Sequence, residues 1–200
     1  MTFETLPALF LFALVTSITP GPNNLMLMAS GANFGMARSL PHMLGVSLGH
    51  MLMTLVLGLG VIGLFQAFPA SFTALKVVSV AYMLWLAWKI AHAAAPKDGA
   101  SGGRPFTFLQ AAAFQWTNPK AWAMSLGAIT NFAPDQTVWG IAVVAGVFAT
   151  INLPSVSFWT FMGREMRRYL TGPGRLQAFN WTMAGLLVAS LYPILSHAAP

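Results

Sequence analysis

Two titratable side chains, Lys120 and His50, fall deep inside apolar stretches of this sequence. Lys120 ends the tetrapeptide Thr117-Asn118-Pro119-Lys120, within an apolar stretch that begins near Thr107. At 1.5 Å per residue it lies roughly 20 Å along that stretch. A charge at that depth in a bilayer marks a substrate or ion pathway. The alternative is a side chain that snorkels to an interface, and 20 Å is too far for comfortable snorkelling. Lys120 is therefore expected to hold a substrate carboxylate or to change protonation during a cycle. His50 follows Gly45-Val46-Ser47-Leu48-Gly49, about eleven residues beyond Ser39. An imidazole exchanges protons near neutral pH, which makes His50 a candidate for proton coupling. A neutral histidine bonded between helices fits equally. Asn152 and Pro154, with Ser155 and Ser157, form a polar, kinked patch that either lines a pathway or packs helices.

These residues need elements that present them, and one stretch stands out. Ser17-Ile18-Thr19-Pro20-Gly21-Pro22-Asn23-Asn24 sits between the apolar runs Leu6–Val15 and Leu25–Ala29. Two prolines around a glycine cannot propagate a helix. Non-helical backbone at membrane depth is tolerated only where protein covers it or it lines a wet cavity. The expectation is a helix broken at a binding site. The half-helix after a break exposes unpaired N–H groups and a partial positive charge, and such ends attract anions. Asn23 and Asn24 open one half-helix, and Lys120 and Ala121 open another. Together they form a candidate carboxylate receptor, with Asn side chains as further donors. Unwound carbonyls around Thr19 and Thr117 are candidates for an ammonium. Prolines that only kink helices for packing are the plainer alternative.

Composition places the chain in a bilayer. Of 200 residues, 56% are hydrophobic and 7% charged, against roughly 25% charged in soluble domains. The net charge of +6 is not a nucleic-acid footprint, because no basic face with interleaved aromatics accompanies it. The absence of cysteine excludes thiolate metal sites and Cys nucleophiles. Met1 to Leu11 carries Glu4 and no Lys or Arg, unlike a cleavable signal peptide.

Six apolar segments are long enough to span: near Leu6–Ser30, Ser39–Gln66, Ala70–Ala91, Thr107–Thr130, Val138–Phe161 and Leu176–Ser196. Phe68-Pro69, the Ala95–Pro105 loop, Ala133-Pro134-Asp135 and Thr171–Gly174 mark breaks between them. Arg38, Lys97, Arg104, Arg164, Arg167, Arg168 and Arg175 all lie in alternate connections. This makes those connections cytoplasmic and puts both termini outside. Pro22 and Pro119 are 97 residues apart, close to half the chain, and the same offset pairs Asn23 with Lys120 and Gly49 with Gly146. Three spans per half imply inverted halves, whose corresponding breaks point to a midplane site. The expectation is an all-α membrane protein of six transmembrane helices. It is one transmembrane domain over 1–200, a 3+3 inverted repeat with repeat 1 about 1–95, a cytoplasmic loop at 96–105 and repeat 2 about 106–200, and helices 1 and 4 are broken.

Other chemistries compete. Gly45-Val46-Ser47-Leu48-Gly49 matches the nucleophile-elbow pattern and has His50 beside it, which admits an intramembrane Ser/His hydrolase. The pattern needs a strand–turn–helix context that is absent here, and Gly45 with Gly49 also reads as a small-residue packing seam. A metal-efflux relative would need clustered ligands, but the histidines are scattered at 42, 50, 92 and 197. A non-transporting membrane subunit would not need a charge at mid-span. The four carboxylates, Glu4, Asp98, Asp135 and Glu165, all fall at or beyond span ends. The chain thus offers no acidic proton relay and no buried partner for a cationic cargo.

Thr19-Pro20-Gly21-Pro22-Asn23, a glycine-rich second span and Asn118-Pro119-Lys120 together resemble the LysE/RhtB family of amino-acid exporters. The resemblance covers the whole chain, in length and in number of spans. It implies proton-driven antiport of amino acids or close analogues across the bacterial inner membrane, by an inverted-repeat bundle without catalytic activity or cofactor. The implied partners are the amino acid, protons and membrane lipid; self-association is left open. The matching site positions are Pro20 to Asn23 and Asn118 to Lys120. Some members carry an acidic residue in the second span near Ser47 to His50; this chain has His50 instead. Small neutral amino acids are accordingly the expected cargo.

Overall fold

A computed structural model describes residues 5–61, 69–93, 104–170 and 172–192. Glu4, Phe68, Lys97, Asp98, Thr171, most of the Ala95–Pro105 loop and the sixth segment beyond 192 lie outside them. Among the described residues every element is helical. In chain order these are α1 (Leu6–Ile18), α2 (Pro22–Val56) with a π-turn over Leu57–Val61, α3 (Pro69–Ala91), α4 (Phe108–Phe114) with a 3₁₀ turn over Gln115–Thr117, α5 (Pro119–Phe132), α6 (Val138–Arg167) and α7 (Pro173–Ala189).

The 35 residues of α2 are two arms. Gly35 has φ +78° and ψ 176°, a conformation that only glycine takes without strain. Its effect is visible across the turn, where the Ser30 and Ser39 hydroxyls lie 2.7 Å apart. Nine residues of straight helix would separate them by about 13 Å, so the chain doubles back at Gly35. The first arm, 22–34, is as short as the 13 residues of α1. Neither reaches across a hydrocarbon core of about 30 Å alone.

Helix α6 follows both pieces in order. Val144, Val147 and Phe148 pack with Leu9 and Ala13 of α1. The Trp159 indole donates to the Ile18 carbonyl at 2.9 Å. Further along, Thr160 to Arg164 meet Met28 to Ala32 of the first arm. Thus α1 and 22–34 lie end to end along one face of α6. Contact at the far end depends on two glycines. A Cβ on Gly31 would strike the Thr160 carbonyl, and one on Gly163 would strike the Met28 carbonyl. The second arm, 36–56, uses Gly45 and Gly49 in the same way against Phe108 and Ala112 of α4, which is the expected small-residue seam. Gly146, its expected repeat partner, has nothing within 4 Å of an added Cβ.

Polarity is distributed inside out. Large apolar side chains face outward, including Leu109, Val138, Trp139 and Leu52, as a lipid-facing surface requires. The buried set includes Asn24, Asn33, His42, His50, Gln115, Asn118, Ser125 and Asn180. Most of these bond across helices; Asn33, for example, donates to Asn180 at 2.9 Å, and Asn180 to the Ala93 carbonyl. The two described carboxylates stay at the ends: Asp135 lies before α6, and Glu165 in the last turn of α6 pairs with Arg164 and Arg168.

The C-terminus of α1 leaves carbonyls that its own helix cannot satisfy. The side chain of Asn24 donates to the carbonyls of Ser17 and Thr19, both at 2.8 Å, and Trp159 takes that of Ile18. Removing the donor from such a group costs its desolvation. Asn24→Leu leaves the Ser17 carbonyl without a donor, while Lys120 still holds that of Thr19, and is expected to destabilise the protein by about 1–3 kcal/mol, against about 1 kcal/mol for Trp159→Phe. Gly163→Leu drives a side chain into the Met28 backbone and is expected to cost at least about 2 kcal/mol. Gly146→Ala is expected to be neutral or slightly stabilising. Thermal unfolding of the purified protein, read as the fraction still monodisperse after each heating step, ranks the four variants.

Candidate functional site

Two helix starts converge. Gly21 caps α2 and Pro22 occupies its first position. Asn118 caps α5 and Pro119 occupies its first position. Proline suits that place because its missing N–H would have no partner there. The side-chain oxygen of Asn118 accepts from the Lys120 N–H at 3.1 Å. The Asn23 and Gln115 amides bond reciprocally, at 2.8 and 3.2 Å, and tie the two starts together. Gln115 is fully buried and also donates to the Ala111 carbonyl. By helix geometry the N–H groups of Asn23, Asn24 and Ala121 have no intrahelical acceptor.

The Lys120 side chain crosses from α5 to the end of α1. Its ammonium donates to the Thr19 carbonyl at 2.5 Å, the Thr19 hydroxyl at 2.9 Å and the Pro20 carbonyl at 3.3 Å. A helix C-terminus carries partial negative charge, so the cation sits where the α1 dipole favours it. Gly21 makes the crossing feasible. Its extended backbone, φ −178°, would suit any residue, but a Cβ there would lie 2.6 Å from Lys120 Cδ. A larger residue here would make the flexible lysine side chain shift.

Between these elements lies a cavity of about 20 Å³, lined among others by Ser17, Gly21, Asn23, Asn24, His50, Asn118, Lys120 and Asn152. That volume admits about one water and is too small for an amino acid. Two polar atoms in its lining residues, Ser17 Oγ and His50 Nδ1, have no hydrogen-bond partner among the described residues. The other ring nitrogen of His50 meets Ser125 Oγ at 3.1 Å, and Ser125 Oγ lies 2.8 Å from the Thr54 hydroxyl. The Phe148 ring stands edge-on to the imidazole, 4.9 Å between centroids.

Gly21, Asn23, Asn24, His50, Asn118, Lys120 and Asn152 line this cavity, whereas five of the expected residues are placed differently. Pro154 faces outward on α6 and does not line the cavity; as a helix-interior proline it serves the shape of α6. Ser47 is buried, donates to the Ala149 carbonyl at 3.1 Å and is turned away from the cavity lining. It does not pair with His50, whose serine partner is Ser125, so the Ser47/His50 hydrolase arrangement does not exist. Thr19 and Pro20 are exposed and contribute oxygens that Lys120 already holds. The Thr117 hydroxyl donates to the Phe114 carbonyl and lies outside the cavity lining. Among the described residues no group of three His, Cys, Asp or Glu side chains could hold a metal. Gln115, Ser17, Thr16 and Met124 were not expected at the site. Gln115 stands two residues before the Thr117-Asn118-Pro119-Lys120 motif, and Ser17 one turn before Gly21; proximity to the breaks was the only available signal.

Comparison with known proteins identifies the family. The sequence profile of the LysE type translocator family matches residues 14–191. The cysteine/O-acetylserine efflux protein of Escherichia coli (strain K12) is 31% identical over 193 residues, covering 94% of this chain and 96% of the relative. The protein of the same description from Klebsiella pneumoniae subsp. pneumoniae is 31% identical over 194 residues, covering 94% and 95%. No solved structure matches the chain. It is an integral membrane transporter rather than an enzyme, and it belongs to the LysE type translocator family.

Proposed function

We propose that the protein exports small neutral amino acids or close analogues from the cytoplasm by proton-coupled antiport, with the substrate held between the breaks at residues 19–21 and 118. O-acetyl-L-serine and L-cysteine are the first substrates to test, because the relatives described above are named for their efflux. We read the chain as one transmembrane domain with six spans arranged as a 3+3 inverted repeat. The end-to-end placement of α1 and 22–34 along α6 supports counting them as one broken span. The proline-led starts of α2 and α5, 97 residues apart, support a second broken span over α4 and α5. Arg38, Arg104 and the Arg164–Arg175 cluster mark the cytoplasmic face, in a bacterial inner membrane with both termini outside.

The observation that carries this reading is the position of the Lys120 ammonium on the α1 carbonyls. An amino acid brings an ammonium of its own and a carboxylate. In our mechanism the substrate ammonium takes the Thr19 and Pro20 carbonyls and displaces Lys120. The released lysine turns to the substrate carboxylate, which also meets the N–H groups of Asn23, Asn24 and Ala121. The site exchanges one ammonium for another and then pairs the freed charge, so no cation is left bare in a low-dielectric interior. The same logic explains why no acidic residue is needed. His50, with one nitrogen on Ser125 and the other without a partner among the described residues, is the proton-coupling candidate alongside Lys120. One half then rocks against the other to alternate access.

Transport by inside-out membrane vesicles tests the assignment. Lys120→Met is expected to lower kcat/KM for O-acetyl-L-serine by about 100-fold, the loss of two hydrogen bonds to a charged group at about 1.4 kcal/mol each. His50→Gln is expected to keep substrate exchange at equilibrium and to lose accumulation driven by a proton gradient. Ser47→Ala is expected to stay within about twofold of the parent, since it lies outside the cavity and the hydroxyl loss is about 1 kcal/mol or less. Full transport by Lys120→Met would end the proposed role of the lysine.

A further inference from the structure

A second, larger cavity lies away from the helix breaks. It has a volume of about 350 Å³ and is lined by the first arm of α2, by His42, by the last turn of α3 and by residues 104–106. Its wall on the first arm runs from Met26, one turn beyond Pro22, to Phe34 at the Gly35 reversal, a length of about 12 Å. It therefore starts close to the central site and opens toward the end of the bundle that carries Arg38 and Arg104.

The chemistry of its polar groups is uniform. His42 is 2% exposed, and neither of its ring nitrogens has a hydrogen-bond partner among the described residues. Every tautomer of an imidazole offers at least one N–H, so the buried His42 ring beside the cavity holds a donor that no acceptor among the described residues takes. At the mouth stand the exposed side chains of Lys89 and Arg104. The Lys89 ammonium rests over the rings of Trp85 and Phe106, at 4.8 and 5.5 Å; these attract a cation without neutralising it. Among the described residues no carboxylate pairs with Lys89 or Arg104, and none lines the cavity. A concave site with charges of one sign concentrates ligands of the other.

We propose that this cavity is an entry subsite that captures a small zwitterion by its carboxylate on the cytoplasmic side, between solvent and the central site. Its sidedness and its amino-acid cargo rest on the function proposed above; its preference for an anionic group does not. Lys89 and Arg104 draw the carboxylate to the mouth, and the His42 N–H meets it inside. Met26, at the inner end, hands the ligand on toward Asn23.

The chain contains no cysteine, so a single introduced thiol reports on the cavity directly. Ser30→Cys is nearly isosteric and sits in the wall; Ala29→Cys replaces it if the first variant fails to fold. The full chain in vesicles is treated from the cytoplasmic side with two methanethiosulfonates, one bearing a sulfonate and one a trimethylammonium. Relative to their rates on a free thiol, the anionic reagent is expected to react about tenfold faster, and Lys89→Met with Arg104→Gln to erase the preference. O-acetyl-L-serine or L-serine is expected to slow labelling, and to do so still in the Lys120→Met background. An unreactive thiol, equal rates for the two reagents, or no protection by either amino acid would overturn the subsite. Protection that disappears with Lys120→Met would assign the binding to the central site instead. Suppression by phosphatidylglycerol in the vesicles, without protection by amino acids, would make the cavity a lipid headgroup site. Protection that persists in a protein without transport would leave the subsite standing and remove the exporter reading.

Discussion

The end of α1 poses the problem that the rest of the molecule solves. A helix that stops within a bundle leaves its last carbonyls without partners in their own helix. Here each oxygen from Val15 to Pro20 has a donor. The Thr19 N–H bonds to Val15 and the Thr19 hydroxyl to Thr16. The Asn24 amide takes Ser17 and Thr19, Trp159 takes Ile18, and Lys120 takes Thr19 and Pro20. The donors come from α2, α6 and α5. The break is thus held by residues distant in the chain, and moving any of those helices alters what the carbonyls can bind. A stop that is costly alone becomes a place where the bundle senses its own arrangement.

Much of this was legible in the residues. Pro20-Gly21-Pro22 and Asn118-Pro119 are incompatible with helix interiors, and helices do start at Pro22 and Pro119. The Gly45 and Gly49 seam followed from its spacing. The reversal at Gly35 falls inside the connection expected between Ser30 and Ser39, although its exact place rests on a positive φ that only glycine takes without strain. Two things were not legible. The direction of the Lys120 side chain depends on where α1 ends relative to α5, a packing fact that no local pattern encodes. Pro154 looked like part of a polar patch, but the helical period turns it outward while Asn152 and Ser155 face in.

Gly49 and Gly146 teach a related lesson about repeats. The 97-residue offset aligns them as it aligns Pro22 with Pro119. Yet Gly49 is pressed against α4, whereas Gly146 faces open space. Backbone-breaking residues keep their roles under the offset because their effect is local. A packing glycine keeps its role only if its neighbour also repeats, and the partner of Gly49 does not.

The absence of an acidic residue from the described interior becomes intelligible once Lys120 is seen on the α1 carbonyls. A transporter with a buried carboxylate would hold an ammonium by opposite charge and would have to shed that charge to release it. Carbonyl dipoles bind an ammonium more weakly and without a net charge of their own, so exchanging one ammonium for another there changes little in electrostatic energy. What distinguishes substrate from lysine is the carboxylate that arrives with it. In the proposed exchange that carboxylate would have two helix starts and a freed ammonium to bind, and an amine without it would have none of these. On this logic selectivity for amino acids over simple amines comes from the anionic half, and the cationic half serves only to free the lysine. A side chain bearing a second positive charge would gain no partner in this interior, consistent with small neutral cargo rather than basic amino acids.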